Sequence, residues 1–228
     1  MNTPTPPPPM PEKDLSELMS ANAIAWDLET VGNKAILDIP GIMPEFKAAS
    51  NVKDPIKIEA QIQTKKEKWQ AELGLSPDYG KIVCSCLCND LVEHVFKGDN
   101  EKQIIQDTWD VMKDWRELVT FNGKNYDLDW LLRRSWYWGI KPTQHYDFLP
   151  YRTMNHHDLR LILSHGNKTA KGKLKMYAKL KLNIDIIGDG GSVQEQYDSG
   201  LIDEIAEHGL SDTRTTWMLF KSLIGFYI

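Results

Sequence analysis

The segment Ile24-Ala25-Trp26-Asp27-Leu28-Glu29-Thr30 constrains the fold more than any other stretch of this chain. Its apolar start reads as a β-strand, and the strand period of two puts Asp27 and Glu29 on one face. Two carboxylates about 4 Å apart at an effective dielectric of about 20 repel by roughly 4 kcal/mol. A fold accommodates such a pair at a solvated strand end, around a cation, or with one group protonated. Which of these applies depends on the acids that the rest of the chain brings to the same place.

The chain has 228 residues, 41% of them hydrophobic, enough for a sizeable core in one large domain. A formal net charge of -5 does not mark the whole protein as a nucleic-acid binder, so any basic surface must be local. No run is apolar enough for a membrane span and no secretory apolar segment opens the sequence. A soluble intracellular protein with no membrane partner is the expectation. Cys84, Cys86 and Cys88 alternate along a strand-like run. Their spacing is unlike that of zinc sites, and the odd count argues against a disulfide framework. They are expected as small, half-buried strand residues.

Residues 1–19, with Pro4, Pro11 and a proline run at 6–9, read as a Pro-rich disordered leader, and residues 20–228 as a single domain. Gly32, Pro40, Gly41 and Pro44 break the chain after the first strand, and Asp54 followed by Pro55 starts a helix expected to reach about residue 73. Residues 32–78 are thus a helical insertion between the first two strands. Runs at 81–88 and 91–96 read as a hairpin about Asn89-Asp90, followed by a helix over 101–116, a strand over 117–121 and a helix over 128–138. A short helix over 173–180 and a long one over 201–223 complete the pattern. This order predicts an α/β fold, a mixed β-sheet flanked by helices.

Two further segments carry acids. In Phe121-Asn122-Gly123-Lys124-Asn125-Tyr126-Asp127 an acid stands where a strand gives way to a helix, a place where its charge is favourable without any function. In His208-Gly209-Leu210-Ser211-Asp212 a histidine and an aspartate four apart share one helical face, which an ordinary surface hydrogen bond also explains. The order Asp-x-Glu, Asn-x3-Tyr-Asp, His-x3-Asp resembles the DEDD superfamily of 3′–5′ exonucleases, whose fold is RNase H-like. Residues 203–217 are especially similar to the third exonuclease motif of B-family polymerase proofreading domains and their stand-alone relatives. The resemblance covers roughly residues 20–223.

The resemblance implies that Asp27, Glu29, Asp127 and Asp212 are metal ligands for two Mg2+ or Mn2+ ions, with Asp27 bridging them. It implies a catalytic set of these four acids with His208, and the stepwise release of nucleoside 5′-monophosphates from a single-stranded 3′ end, DNA rather than RNA. Phe121 and Asn122 would flank the terminal nucleotide; Lys171, Lys173 and Lys175, within a basic run of an acidic protein, read on their own either as a solvated helix face or as contacts to substrate phosphates. An RNA exonuclease of the same fold and a non-catalytic nucleic-acid-binding module are the alternatives. The sequence departs from the pattern at His208: the spacing to Asp212 is that of the branch with tyrosine at this position, and here histidine takes its place. Asp158-Leu159-Arg160 resembles a supporting segment of these enzymes, and His156, His157 and His165 are expected in structural or surface roles.

Overall fold

Strand β1 (Ala23–Gly32) is the middle strand of a five-stranded sheet in the computed structural model, which describes residues 21–147, 149, 152, 154–167, 172–187 and 190–228. The segments at 1–19 and Lys171 lie outside the described residues. β2 (Gly80–Cys88) pairs antiparallel along one flank of β1, and β4 (Glu117–Thr120) pairs parallel along the other. β3 (Glu93–Lys97) and β5 (His156–Asp158) complete the order β3-β2-β1-β4-β5. The sheet is therefore mixed, as the order of elements predicts.

Alternation along β1 divides its side chains between two layers. Ile24, Trp26 and Leu28 point into a core built with α2 (Glu101–Met112) and α3 (Asp127–Trp138), around Trp109, Trp130 and Leu131. Ala23, Ala25 and Val31 lie on the other face, beneath α7 (Ile202–Leu223). There α7 sets Ile205 and Ala206 against Val83, Cys84 and Cys86, and Trp217 and Phe220 against Ala25 and Val119. Small residues on this face let the long helix approach closely. A Cβ on Gly209 would stand 3.3 Å from both Cys86 Sγ and Glu29 Cγ, tighter than ordinary contact.

Between β1 and β2 the chain makes α1 (Pro55–Ala71), capped by Asp54, whose carboxylate accepts the Ile56 N–H at 2.9 Å. No residue of α1 is buried. The two main helices facing Trp26 are locked together by Glu101, at the start of α2. Its buried carboxylate accepts from Arg134 Nε at 2.8 Å and Nη2 at 2.6 Å, from the Trp138 indole at 2.7 Å and from the Ile82 N–H at 2.8 Å. Four donors compensate the buried charge. Shorter helices follow: α4 (Leu159–Leu163), α5 (Leu174–Tyr177) and α6 (Val193–Asp198).

Several expectations shift. The three thiols are fully buried rather than half-buried, because α7 covers their face of β2. The hairpin turn is longer than two residues: the Asn89 side chain accepts the N–H groups of Leu91 and Val92 at 2.8 and 3.0 Å, delaying β3 to Glu93. The helix expected to reach 116 stops at Met112, and Trp115 turns back onto the core. The helix expected over 173–180 is one α-turn continued as a π-helical turn over Ala178–Leu182. Among the described residues no helix is long and apolar enough to cross a membrane.

Candidate active site

A cleft of about 490 Å³ opens at the end of β1 that carries Asp27 and Glu29. Its lining includes Asp27, Glu29, Phe121, Asn122, Asp127, Lys173, Lys175, His208 and Asp212. The structure thus brings together every site residue expected from the sequence except Lys171, which is not among the described residues. Tyr126, Leu28, Leu174 and Ile186 complete the walls.

Each element delivers its acid for a local reason. On β1, Asp27 and Glu29 stand across from Cys86 and Cys84 of β2, and a register shift follows directly after Glu29. Such a bulge bends the strand and interrupts its pairing next to the acids, before the ladder resumes at Thr30. Asp127 is the first residue of α3, where the helix N-terminus favours its charge, and its Oδ1 accepts the Leu28 N–H at 3.1 Å. Asp212 and His208 lie one turn apart on α7. His208 is buried, and its Nδ1 donates to the Ile187 carbonyl at 2.7 Å. In the neutral ring that bond leaves the Nε2 lone pair available, and Nε2 lies 3.6 Å from Glu29 Oε1.

The turn between β4 and α3 is held by Asp158. Its Oδ1 accepts the Asn122 N–H at 2.9 Å and its Oδ2 the Lys124 N–H at 3.0 Å, and Oδ1 also caps α4 by accepting the N–H groups of Arg160 and Leu161. Asn122 sits at φ 74, a left-handed conformation that non-glycine residues rarely adopt. Arg160 Nη1 donates to Asn122 Oδ1 at 2.8 Å. A guanidinium has only donors, so this contact fixes the amide orientation and turns its NH2 away from Arg160. Sequence reading places Asp158-Leu159-Arg160 near the site without giving it this task. The Ile187 carbonyl is invisible to it, because a backbone group carries no signature in the sequence. His156 and His157 are buried in β5, the structural role expected of them.

The acids hold one another's charge in check. Burial, then the charges of Asp127, Glu29 and Asp212, push the Asp27 carboxyl well above the usual carboxylate range. Glu29 is raised by burial, by the Cys84 sulfur and by Asp212 and Asp127. Burial raises Asp127 to about 7, against the hydrogen bonds from its own and the Leu28 backbone N–H. Asp212 is raised by burial too, with His208 and Lys175 pulling it back. Its Oδ1 is buried and has no hydrogen-bond partner among the described residues.

This donor set suits hard divalent cations: four carboxylates, all oxygen, with an orphaned oxygen on Asp212. Among the described residues no group of three or more His, Cys, Asp or Glu side chains is drawn tightly enough to hold a metal ion as it stands. Magnesium does not require such a cage, since it keeps several waters and takes one or two carboxylates together with substrate phosphate.

A family model described as a predicted 3′–5′ exonuclease related to the exonuclease domain of PolB matches residues 87–224. The matched span contains Asp127, His208 and Asp212. No curated protein matches the chain. Among solved structures, the family B DNA polymerase from the hyperthermophilic archaeon Pyrobaculum calidifontis is similar, with a TM-score of 0.59 and 16% identity over 88% of this chain. The chain spans 24% of the length of that polymerase. The likeness covers most of the chain, and the mixed sheet flanked by helices is RNase H-like.

Proposed function

Since the chain belongs to the family of predicted 3′–5′ exonucleases related to the exonuclease domain of PolB, we propose that it shortens single-stranded DNA from the 3′ end, releasing nucleoside 5′-monophosphates. The observation that carries this reading is the meeting of four carboxylates from β1, α3 and α7 in one cleft, with the His208 imidazole beside them. Asp27, Glu29, Asp127 and Asp212 would hold two Mg2+ or Mn2+ ions. When bound, such ions stabilise charge on the phosphoryl oxygens and make water acidic enough to act as a nucleophile.

The chain's own groups supply the rest. His208 Nε2 accepts the proton of the attacking water, with the Ile187 carbonyl keeping Nδ1 protonated and the ring in place. Phe121 offers a ring face to the terminal base, and Asn122, clamped by Arg160 and Asp158, directs amide N–H donors at the nucleotide. Lys173 and Lys175 line the cleft as phosphate contacts, which keeps the polyanion from meeting only carboxylates. The acids come from β1, α3 and α7, and His208 shares α7 with Asp212, so the cleft must be assembled by the complete fold.

The test is a 5′-labelled single strand incubated with manganese. A ladder of products shortened one nucleotide at a time is the expected result, lost in Asp27→Ala. A gel shift without shortening would leave a nucleic-acid-binding module instead, and a ladder on RNA alone would move the substrate to RNA.

A further inference from the structure

One wall of the cleft is α5, which carries Lys173 and Lys175 at its start and runs directly into the π-helical turn over Ala178–Leu182. Lys173, the extended residue just before α5, Tyr177 at the end of α5 and Lys181 in the π-helical turn follow one another along this segment, from the cleft to its far end. The Tyr177 ring leans on Phe121, a cleft residue, at a centroid distance of 6.0 Å. At the far end, Lys181 Nζ stands 6.0 Å from the ring of Phe226, and the neighbouring Tyr227 pairs with His165 at 5.9 Å. Phe121, Tyr177, Leu182, Ile224 and Ile228 all pack against one core cluster beneath this segment.

Two features separate this surface from an ordinary solvated helix. Phe226 is 81% exposed and Tyr227 51%, so their rings are displayed rather than buried. Among the described residues Lys173, Lys175 and Lys181 form no ion pair, whereas nearby Lys179 is paired with Asp185 and Lys221 with Asp90. Unpaired cations and displayed rings in alternation, continuous with a cleft, complement a flexible polyanion whose bases are free to stack.

We propose that this face is a binding track for the single strand upstream of the terminal nucleotide, with Lys173 and Lys181 on phosphates and Phe226 and Tyr227 under bases. It rests on the exonuclease reading for its direction, since the 3′ end occupies the cleft and the strand leaves along α5. One α-turn and one π-helical turn separate Lys173 from Lys181, a span on the order of 10 Å at about 1.5 Å per residue. That distance accommodates roughly three to four stacked nucleotides at about 3.4 Å per phosphate.

The experiment measures binding of labelled oligonucleotides three and eight nucleotides long to the full chain in chelator, by fluorescence anisotropy. Wild-type protein should bind the octamer much more tightly than the trimer. Phe226→Ala should weaken octamer binding about tenfold, at the scale of one lost base stack, while leaving the trimer nearly unchanged. Lys181→Gln should lower the log–log salt slope for the octamer by about 0.7. Trp136→Ala is the control: that ring is 74% exposed on α3 and lies outside this face. The proposal is overturned if Phe226→Ala leaves the octamer unchanged, weakens trimer and octamer alike, or does no more than Trp136→Ala. Failure of the exonuclease reading looks different, as length-dependent binding by the wild type with no shortening when manganese is added.

Discussion

Replacing Asp127 by asparagine removes one negative charge from the cleft and keeps an oxygen able to accept the Leu28 N–H. In the native fold burial moves this carboxyl from an ordinary 3.8 to about 7. A carboxyl raised in the folded state makes that state bind more protons than the unfolded one between those two values. Stability therefore falls as pH rises from about 4 to about 7, and the loss is complete above the folded value. At 1.36 kcal/mol per pKa unit the displacement corresponds to roughly 4 kcal/mol, an upper bound for the stabilisation that Asp127→Asn brings to metal-free protein at pH 8. Toward pH 4, where the wild-type carboxyl is neutral, the advantage should vanish. Urea unfolding of both proteins in chelator across this range reads the difference directly. At pH 8, magnesium should stabilise the wild type more than the variant, because bound cations relieve the repulsion that the variant has already lost in part. A variant no more stable than wild type at pH 8, or equally stabilised at every pH, would refute the view that burial in the cleft holds the Asp127 carboxyl above its ordinary range.

His208→Ala should lower the rate by about 10²–10⁴-fold in single-turnover assays with manganese, and His208→Tyr should recover part of the loss; an unchanged rate in His208→Ala would reduce the residue to helix packing. Asp158→Ala releases the N–H groups of Asn122 and Lys124 from their shared acceptor; a loss of about 1–3 kcal/mol in urea unfolding and a raised KM are expected, and a wild-type KM would show that the turn holds its shape without the clamp. Glu101→Ala strands the buried Arg134 guanidinium and should destabilise by about 3–5 kcal/mol, whereas a change below about 1 kcal/mol would mean that water replaces the carboxylate. Lys173→Gln with Lys175→Gln should flatten the salt dependence of oligonucleotide binding by about 0.7 per lost contact, and an unchanged slope would return these lysines to a solvated face.

The positions of the acids were legible because each rides on a regular element. Asp27 and Glu29 follow from a strand's period of two, and His208 and Asp212 from the helical spacing of four. The layer structure was legible from the same periodicities, since Ile24, Trp26 and Leu28 alternate with smaller residues along β1. What stayed hidden depends on contacts between distant segments. The depth of burial of the thiols is set by α7, which joins β2 only in three dimensions. The start of β3 is set by one amide side chain competing for two backbone N–H groups, a contest that propensities do not resolve. The acceptor that orients His208 is a main-chain carbonyl, and the carboxylate that shapes the Asn122 turn comes from a short strand at the sheet edge.

The helix α7 lies across β1 and β2 and carries both His208 and Asp212, although β1 precedes it by almost the whole chain. During synthesis, which runs from the N-terminus, the sheet can begin to pair while its acidic face still lacks the last helix. A contact this distant in sequence closes late, because its loop entropy is met only after nearer pairings exist. The nascent chain would then hold three of its four acids in place and still lack the imidazole and the final carboxylate. On the exonuclease reading proposed above, catalytic competence would arrive in one step, when α7 docks across β1 and β2.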